Sequence, residues 1–216
     1  MCSKFVLAAL FVVAAMPVLS QSSSAAIESV WRVDAGGGVS AYHDDFYGTG
    51  IMEGPTAWVD LYPNRGPKFL HPLGLDMEGH FITFGGPQPQ LAGQSTFTTT
   101  RELTYGGGPI YEWRHFKRFT PYAKFLWEQG NIDFNAGIPS YTHDNRSDWA
   151  PGAGFEYRMM RHISIRADYE KQYWQRLFED HAITTPTGIA IEPRGVTLGA
   201  SYEFDRLHFG GPIKEK

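Results

Sequence analysis

The 216-residue chain carries 19 basic and 23 acidic side chains, a formal net charge of −4, and so lacks the basic field that a nucleic-acid partner requires. Hydrophobic residues make up 42% and aromatic residues 15% of the sequence, a balance that excludes both a helical membrane protein and a disordered chain. The length suits one ordinary domain or one β-barrel rather than two large domains.

Residues 1–26, MCSKFVLAALFVVAAMPVLSQSSSAA, place Lys4 ahead of an apolar run from Phe5 to Leu19, followed by a polar run of small residues. This is the pattern of a secretory signal peptide, with cleavage expected after Ser20 or Ala26. The apolar run is shorter than the ~20 residues of a spanning helix. Cys2 is the single cysteine and precedes the run, so it cannot become the lipid-bearing first residue of a mature lipoprotein. The mature chain then has no thiol and no helical span, and any entry into a membrane must use strands.

Eight stretches of about ten residues with period-2 patterning follow, separated by clusters of Gly, Pro, Asn and Asp. Residues 30–43 set Trp31, Val33, Ala35, Val39 and Ala41 against Arg32, Asp34, Ser40 and Tyr42; residues 56–62 set Ala57, Val59 and Leu61 against Trp58 and Asp60. Residues 73–84 oppose Leu73, Leu75, Met77 and Phe81 to Asp76, Glu78 and His80. Residues 102–113 oppose Leu103, Tyr105, Tyr111 and Trp113 to Glu102, Thr104 and Glu112. In 121–134, Ala123, Phe125 and Trp127 alternate with Tyr122, Lys124 and Glu128. In 149–159, Trp149, Ala153, Phe155 and Tyr157 alternate with Gly152, Gly154, Glu156 and Arg158. Residues 162–174 put Ile163, Ile165, Ala167 and Tyr169 opposite Ser164, Arg166, Asp168 and Glu170; residues 194–204 put Val196, Leu198, Ala200, Tyr202 and Phe204 opposite Thr197, Gly199, Ser201 and Glu203.

Long connections (44–55, 85–101, 135–148 and 175–193) alternate with shorter ones (63–72, 114–120 and a turn at Met160 and Arg161). An even strand number with this alternation is the plan of an all-β, eight-stranded antiparallel up-and-down barrel. In a membrane barrel the short turns face the periplasm. Arg65, Lys68, Arg114, Lys117, Arg118 and Arg161 fall on that side, whereas Asp44, Asp45, Glu53, Asp144, Asp148, Glu179 and Asp180 fall on the long-loop side.

Alternation alone does not say which face is out. The polar face carries both charge signs and many glycines, among them Gly36, Gly38, Gly106, Gly108, Gly152, Gly154 and Gly199, which make room for long arginines and glutamates inside a narrow barrel. Trp31, Trp113, Trp127, Trp149 and Trp174 fall at or toward strand ends, where interfacial girdles lie. The expectation is a transmembrane barrel with Ile163, Ile165, Ala167 and Tyr169 toward lipid and Trp174 toward the outer interface. Its interior would be filled by Arg32, Asp34, Asp60, Glu78, Glu102, Lys124, Glu128, Glu156, Arg158, Arg166, Asp168 and Glu170. Pro109 and Pro151 fall inside strands and call for bulges.

FTPYAKFLWEQGNIDF, WAPGAGFEYRMMRHISIRADYEKQYW and the closing GVTLGASYEF resemble the small outer-membrane β-barrels of the OmpA-like and opacity-protein-like family, over about Trp31 to Phe204. The resemblance implies a barrel spanning 27–204 in outer-membrane lipid. It also implies an assembly signal at Val196, Leu198, Ala200, Tyr202 and Phe204, read by the barrel-assembly machinery. The sequence departs from the family in a short polar tail, 205–216, after the final aromatic.

Such a barrel is expected to be structural or adhesive, with extracellular or host ligands met through its loops. A narrow porin-like channel and a soluble periplasmic lipocalin-like binder are the alternatives, and a lipid-modifying acyl hydrolase or transferase is the enzyme-class rival. No catalytic, cofactor-binding or metal residues are assigned: His43, Asp44 and Asp45, and His143, Asp144 and Asn145, read as polar loop tips.

Overall fold

The computed structural model describes residues 31–44, 50–64, 67–87, 97–134, 143–177 and 189–207. The expected signal peptide, Asp45, Arg65, Glu179, Asp180 and the tail beyond Leu207 lie outside these residues. Ten strand segments follow one another: β1 (Trp31–Asp44), β2 (Gly50–Pro63), β3 (Leu73–Pro87), β4 (Phe97–Glu112), β5 (Phe119–Phe134), β6 (His143–Arg158), β7 (Ile163–Lys171), β8 (Tyr173–Leu177), β9 (Ile189–Ile191) and β10 (Arg194–Leu207). A 3-10 turn at Lys68–Leu70 occupies the connection before β3.

Each strand from β1 to β7 pairs antiparallel with the next, β7 pairs with β10, and β10 returns to β1, which closes the sheet. Along β6, Gly152 faces Glu170 of β7 and Asp148 faces Trp174 of β8 in one register. β8 therefore continues β7, and β9 leads into β10, so the barrel has eight strands. The break falls at Gln172, whose N–H bonds the Pro193 carbonyl at 2.8 Å. It lies beside Pro151, which has no N–H to give.

Side-chain burial follows the period of two. Leu75, Met77, Leu103, Phe125, Ile163, Ile165, Tyr169, Val196 and Leu198 are exposed on the outer wall, while Asp76, Glu78, His80, Lys124, Arg166, Asp168 and Glu170 are buried inside. A soluble binder would need the Ile163 face inward; here it points outward. Exposed aromatics gather near the short turns, at Trp31, Tyr111, Trp113, Phe119 and Tyr157, and again at Tyr105, Trp127 and Tyr169. On β5 about nine residues separate Phe119 from Trp127, the length that crosses a hydrocarbon core.

Three features differ from the sequence reading. β3 to β6 run to 15 or 16 residues, longer than a bilayer needs, because polar neighbours such as Asp133 and His143 go on pairing backbone to backbone above the apolar wall. Pro109 and Pro151 bring no bulge. An antiparallel residue sends its N–H to one neighbour only, so the other ladder holds the register: Pro109 still faces Leu75, and Pro151 still faces Phe125. The third is the end of β10, which passes Phe204 to reach Leu207 opposite Trp31, across a bulge between Trp31 and Val33.

Candidate functional site

The lumen holds the chemistry. Near the short turns Arg32 meets Glu112 at 2.8 Å and Asp34 at 3.1 Å, with its guanidinium 4.0 Å from the Tyr62 ring centroid. Below them opens a vestibule of about 270 Å³ whose lining includes Arg114, Lys117, Arg118, Glu156, Arg158 and Glu203.

At mid-height Arg166 reaches four carboxylates: Asp60 at 3.1 Å, Asp76 at 3.1 Å, Glu78 at 3.2 Å and Asp168 at 3.0 Å. Its guanidinium lies 4.7 Å from the Trp58 ring and 4.8 Å from the Tyr122 ring. The planar fork suits this many partners, because five N–H donors fan out in one plane. Tyr122 donates to Asp168 at 2.7 Å.

One layer further, Lys124 Nζ meets Glu78, Glu170 at 2.9 Å and Asp168 at 3.7 Å. Tyr42 donates to Glu170 at 2.8 Å, and His80 lies among Glu78, Glu170 and the hydroxyls of Ser40 and Thr56. Toward the long connections Glu102, Glu128 and Asp148 are buried alongside Met52, Ile82, Ile132 and Trp174. Trp174 Nε1 donates to Gln172 at 3.0 Å.

Of the residues expected inside, Arg32, Asp34, Asp60, Glu78, Glu102, Lys124, Glu128, Arg166, Asp168 and Glu170 are buried, and Glu156 is half-buried. Arg158 is not: it is exposed at the rim, paired with Glu203 at 2.8 Å. It ends β6 where the vestibule opens to solvent, so its inward parity leaves it exposed. Trp174 does not lie at the outer interface but is fully buried in the lumen, in the space left by Gly130. Several inward glycines likewise lie against rings rather than long charged chains: Gly36 and Gly199 against Trp58, Gly74 against Tyr62, Gly195 against Tyr42. Gly152 does lie against Lys124.

The interior also holds Asp76, His80, Glu112 and Asp148, which the sequence reading does not place there. The first three share parity with their charged neighbours, a signal sufficient to find them; Asp148 falls in an expected loop that is strand. His43 contacts the Gly50 carbonyl at 3.3 Å across the β1–β2 hairpin, and Asp144 pairs with Arg146 at 3.1 Å within β6. Val196, Leu198 and Ala200 are exposed on the outer wall, and Tyr202 and Phe204 are half-buried, with their rings 4.8 Å apart.

A closed antiparallel sheet with an apolar, aromatic-belted exterior and paired charges within is a transmembrane β-barrel. The family model described as outer membrane protein beta-barrel domain matches residues 8–204, and the chain belongs to that family. Among solved structures it is similar to the outer membrane protein OprG from Pseudomonas aeruginosa (9% identity, TM-score 0.53, covering 83% of this chain and 98% of that one). Neisserial surface protein A is also similar (12%, TM-score 0.51, 82% and 98%), as is a major outer membrane protein from Thermus thermophilus (16%, TM-score 0.50, 81% and 98%). At these identities the likeness speaks to fold alone. No curated protein matches the sequence.

Proposed function

We propose that this outer-membrane barrel is a closed scaffold with a structural or adhesive role, exercised through its long connections rather than through a pore. The observation that carries the reading is the cross-lumen ion pairing. Arg166 of β7 is tied to Asp60 of β2 and Asp76 of β3, and Lys124 of β5 is tied to Glu78 of β3 and Glu170 of β7. An eight-stranded barrel is just wide enough for side chains to fill, and these pairs cross its middle. Breaking one to admit solute leaves a buried charge uncompensated.

In this reading the 1–26 segment directs export, the outward residues Val196, Leu198, Ala200, Tyr202 and Phe204 serve assembly, and outer-membrane lipid surrounds the wall. No catalytic step or cofactor is assigned. The test is planar-bilayer recording on the purified chain. The closed scaffold gives no discrete conductance steps, whereas reproducible steps would favour a narrow channel. Adhesion is read separately, by comparing surface binding of cells displaying the chain with cells displaying a variant shortened in 88–96 and 178–188.

A further inference from the structure

We propose that His80, Glu78 and Glu170, closed on a fourth side by Tyr42, form a buried site for one four-coordinate divalent metal ion of the zinc class. His80 and Glu78 share the inner face of β3, Glu170 comes from β7 and Tyr42 from β1, and all four are buried. His80, Glu78 and Glu170 offer ligand atoms within 4.8 Å of one another. His80 Nε2 lies 3.3 Å from Glu78 Oε1, 3.7 Å from Glu170 Oε1 and 3.4 Å from Tyr42 Oη. Donors about 2.0–2.2 Å from a tetrahedral zinc ion are roughly 3.4 Å apart, so the three distances from His80 Nε2 suit such an ion. Imidazole with carboxylates is also a donor set that zinc accepts.

The surroundings prepare the same atoms. Lys124 Nζ meets the Oε2 oxygens of both Glu78 and Glu170, and both Oε1 atoms turn toward His80, that of Glu170 also accepting from Tyr42 Oη at 2.8 Å and from Gln172 Nε2 at 3.3 Å. Glu78 Oε1 is buried and accepts no hydrogen bond among the described residues. On its other side the His80 ring is held at Nδ1 by Thr56 Oγ1 at 2.8 Å and Ser40 Oγ at 3.2 Å, the kind of outer contact that aims a ligating imidazole. Nε2 and Glu78 Oε1 thus face each other 3.3 Å apart in a closed, low-dielectric space, where one divalent ion would be held by both atoms. Glu78, Glu170 and Asp168 gather around Lys124, and Arg166, which also meets Glu78 and Asp168, is shared with Asp60 and Asp76; the carboxylates of this cluster outnumber its two cations, and the negative excess favours the divalent ion.

The test is to refold the untagged chain from urea into detergent with Zn²⁺ present, so that entry into the closed lumen is not limiting. The product is passed over a chelating resin, and metal per chain is measured by mass spectrometry. Folding is read from the mobility difference between heated and unheated gel samples. The site holds about one equivalent in the folded wild type. His80→Gln and Glu78→Gln retain less than about a tenth of that, and Thr56→Val weakens binding about tenfold or more. Co²⁺ in place of zinc gives the intense visible absorption of a four-coordinate site. Folded wild type that retains no metal would overturn the proposal. Folded His80→Gln that retains as much as wild type would overturn it in favour of the surface histidines. Should His80→Gln not fold, wild-type stoichiometry and Thr56→Val decide.

Discussion

Arg166→Met removes the charge at the centre of the lumen while keeping a long side chain between Trp58 and Tyr122. Glu78 and Asp168 still have Lys124 within 4 Å, but Asp60 and Asp76 lose the only cation that pairs with them among the described residues. Removing one partner of a buried pair costs about 3–5 kcal/mol, because the charge left behind is neither solvated nor compensated. With a urea slope of about 1–3 kcal/mol per molar, the unfolding midpoint falls by roughly 2 M. The assay is urea unfolding of the barrel in lipid vesicles, followed by tryptophan emission and by gel mobility without heating. Arg158→Ala is the control, since its pair with Glu203 is half-exposed at the rim and costs no more than about 1 kcal/mol. Adding Asp60→Asn and Asp76→Asn to Arg166→Met should restore part of the loss. A cost below about 1 kcal/mol for Arg166→Met would refute the claim that this guanidinium neutralises the mid-lumen carboxylates.

The outer wall should show a depth-dependent penalty. Leu198→Arg, at mid-strand, loses about 2–4 kcal/mol of folding free energy, while Ile163→Arg, at the start of β7, loses about 0–1 kcal/mol; equal losses in vesicle unfolding would contradict the lipid-facing assignment. Gly130→Ala pushes a Cβ into the Trp174 indole and costs about 1–3 kcal/mol, with a changed near-ultraviolet circular dichroism; an unchanged spectrum counts against the lumen position of Trp174. In variants that each keep a single tryptophan, brominated lipid quenches Trp127, which is 69% exposed, and leaves Trp58 (1%) and Trp174 (0%) bright. Strong quenching of Trp174 would return it to the outer interface.

Much of the barrel was legible because the strand period is local. Ile163 and Ile165 against Arg166 and Asp168 mark two faces without reference to any other strand, and inward glycines beside charges of both signs indicate which face is confined. Trp174 shows where local reading stops. Its parity places it with Arg166 and Glu170, yet its nearness to a strand end suggests an interface. It lies inside because β8 carries the line of β7 above the apolar wall and Gly130 leaves room for the ring. Arg158 errs the other way, with inward parity but a place at the open rim where β6 ends. Pro109 and Pro151 were legible as missing donors, but that a second ladder would hold their register depends on both neighbours at once.

The sequence by itself determined that the chain forms eight amphipathic strands, which residues share a face, and that the charged face is enclosed. It could do so because side chains alternate along a strand whatever that strand pairs with. Only the tertiary structure decided which charges meet. Arg166 finds Asp60 and Asp76, 106 and 90 positions away in the chain, and His80 finds Tyr42 and Glu170. Those meetings depend on how far each strand is staggered against the next around the closed sheet, a quantity that no single stretch of sequence contains.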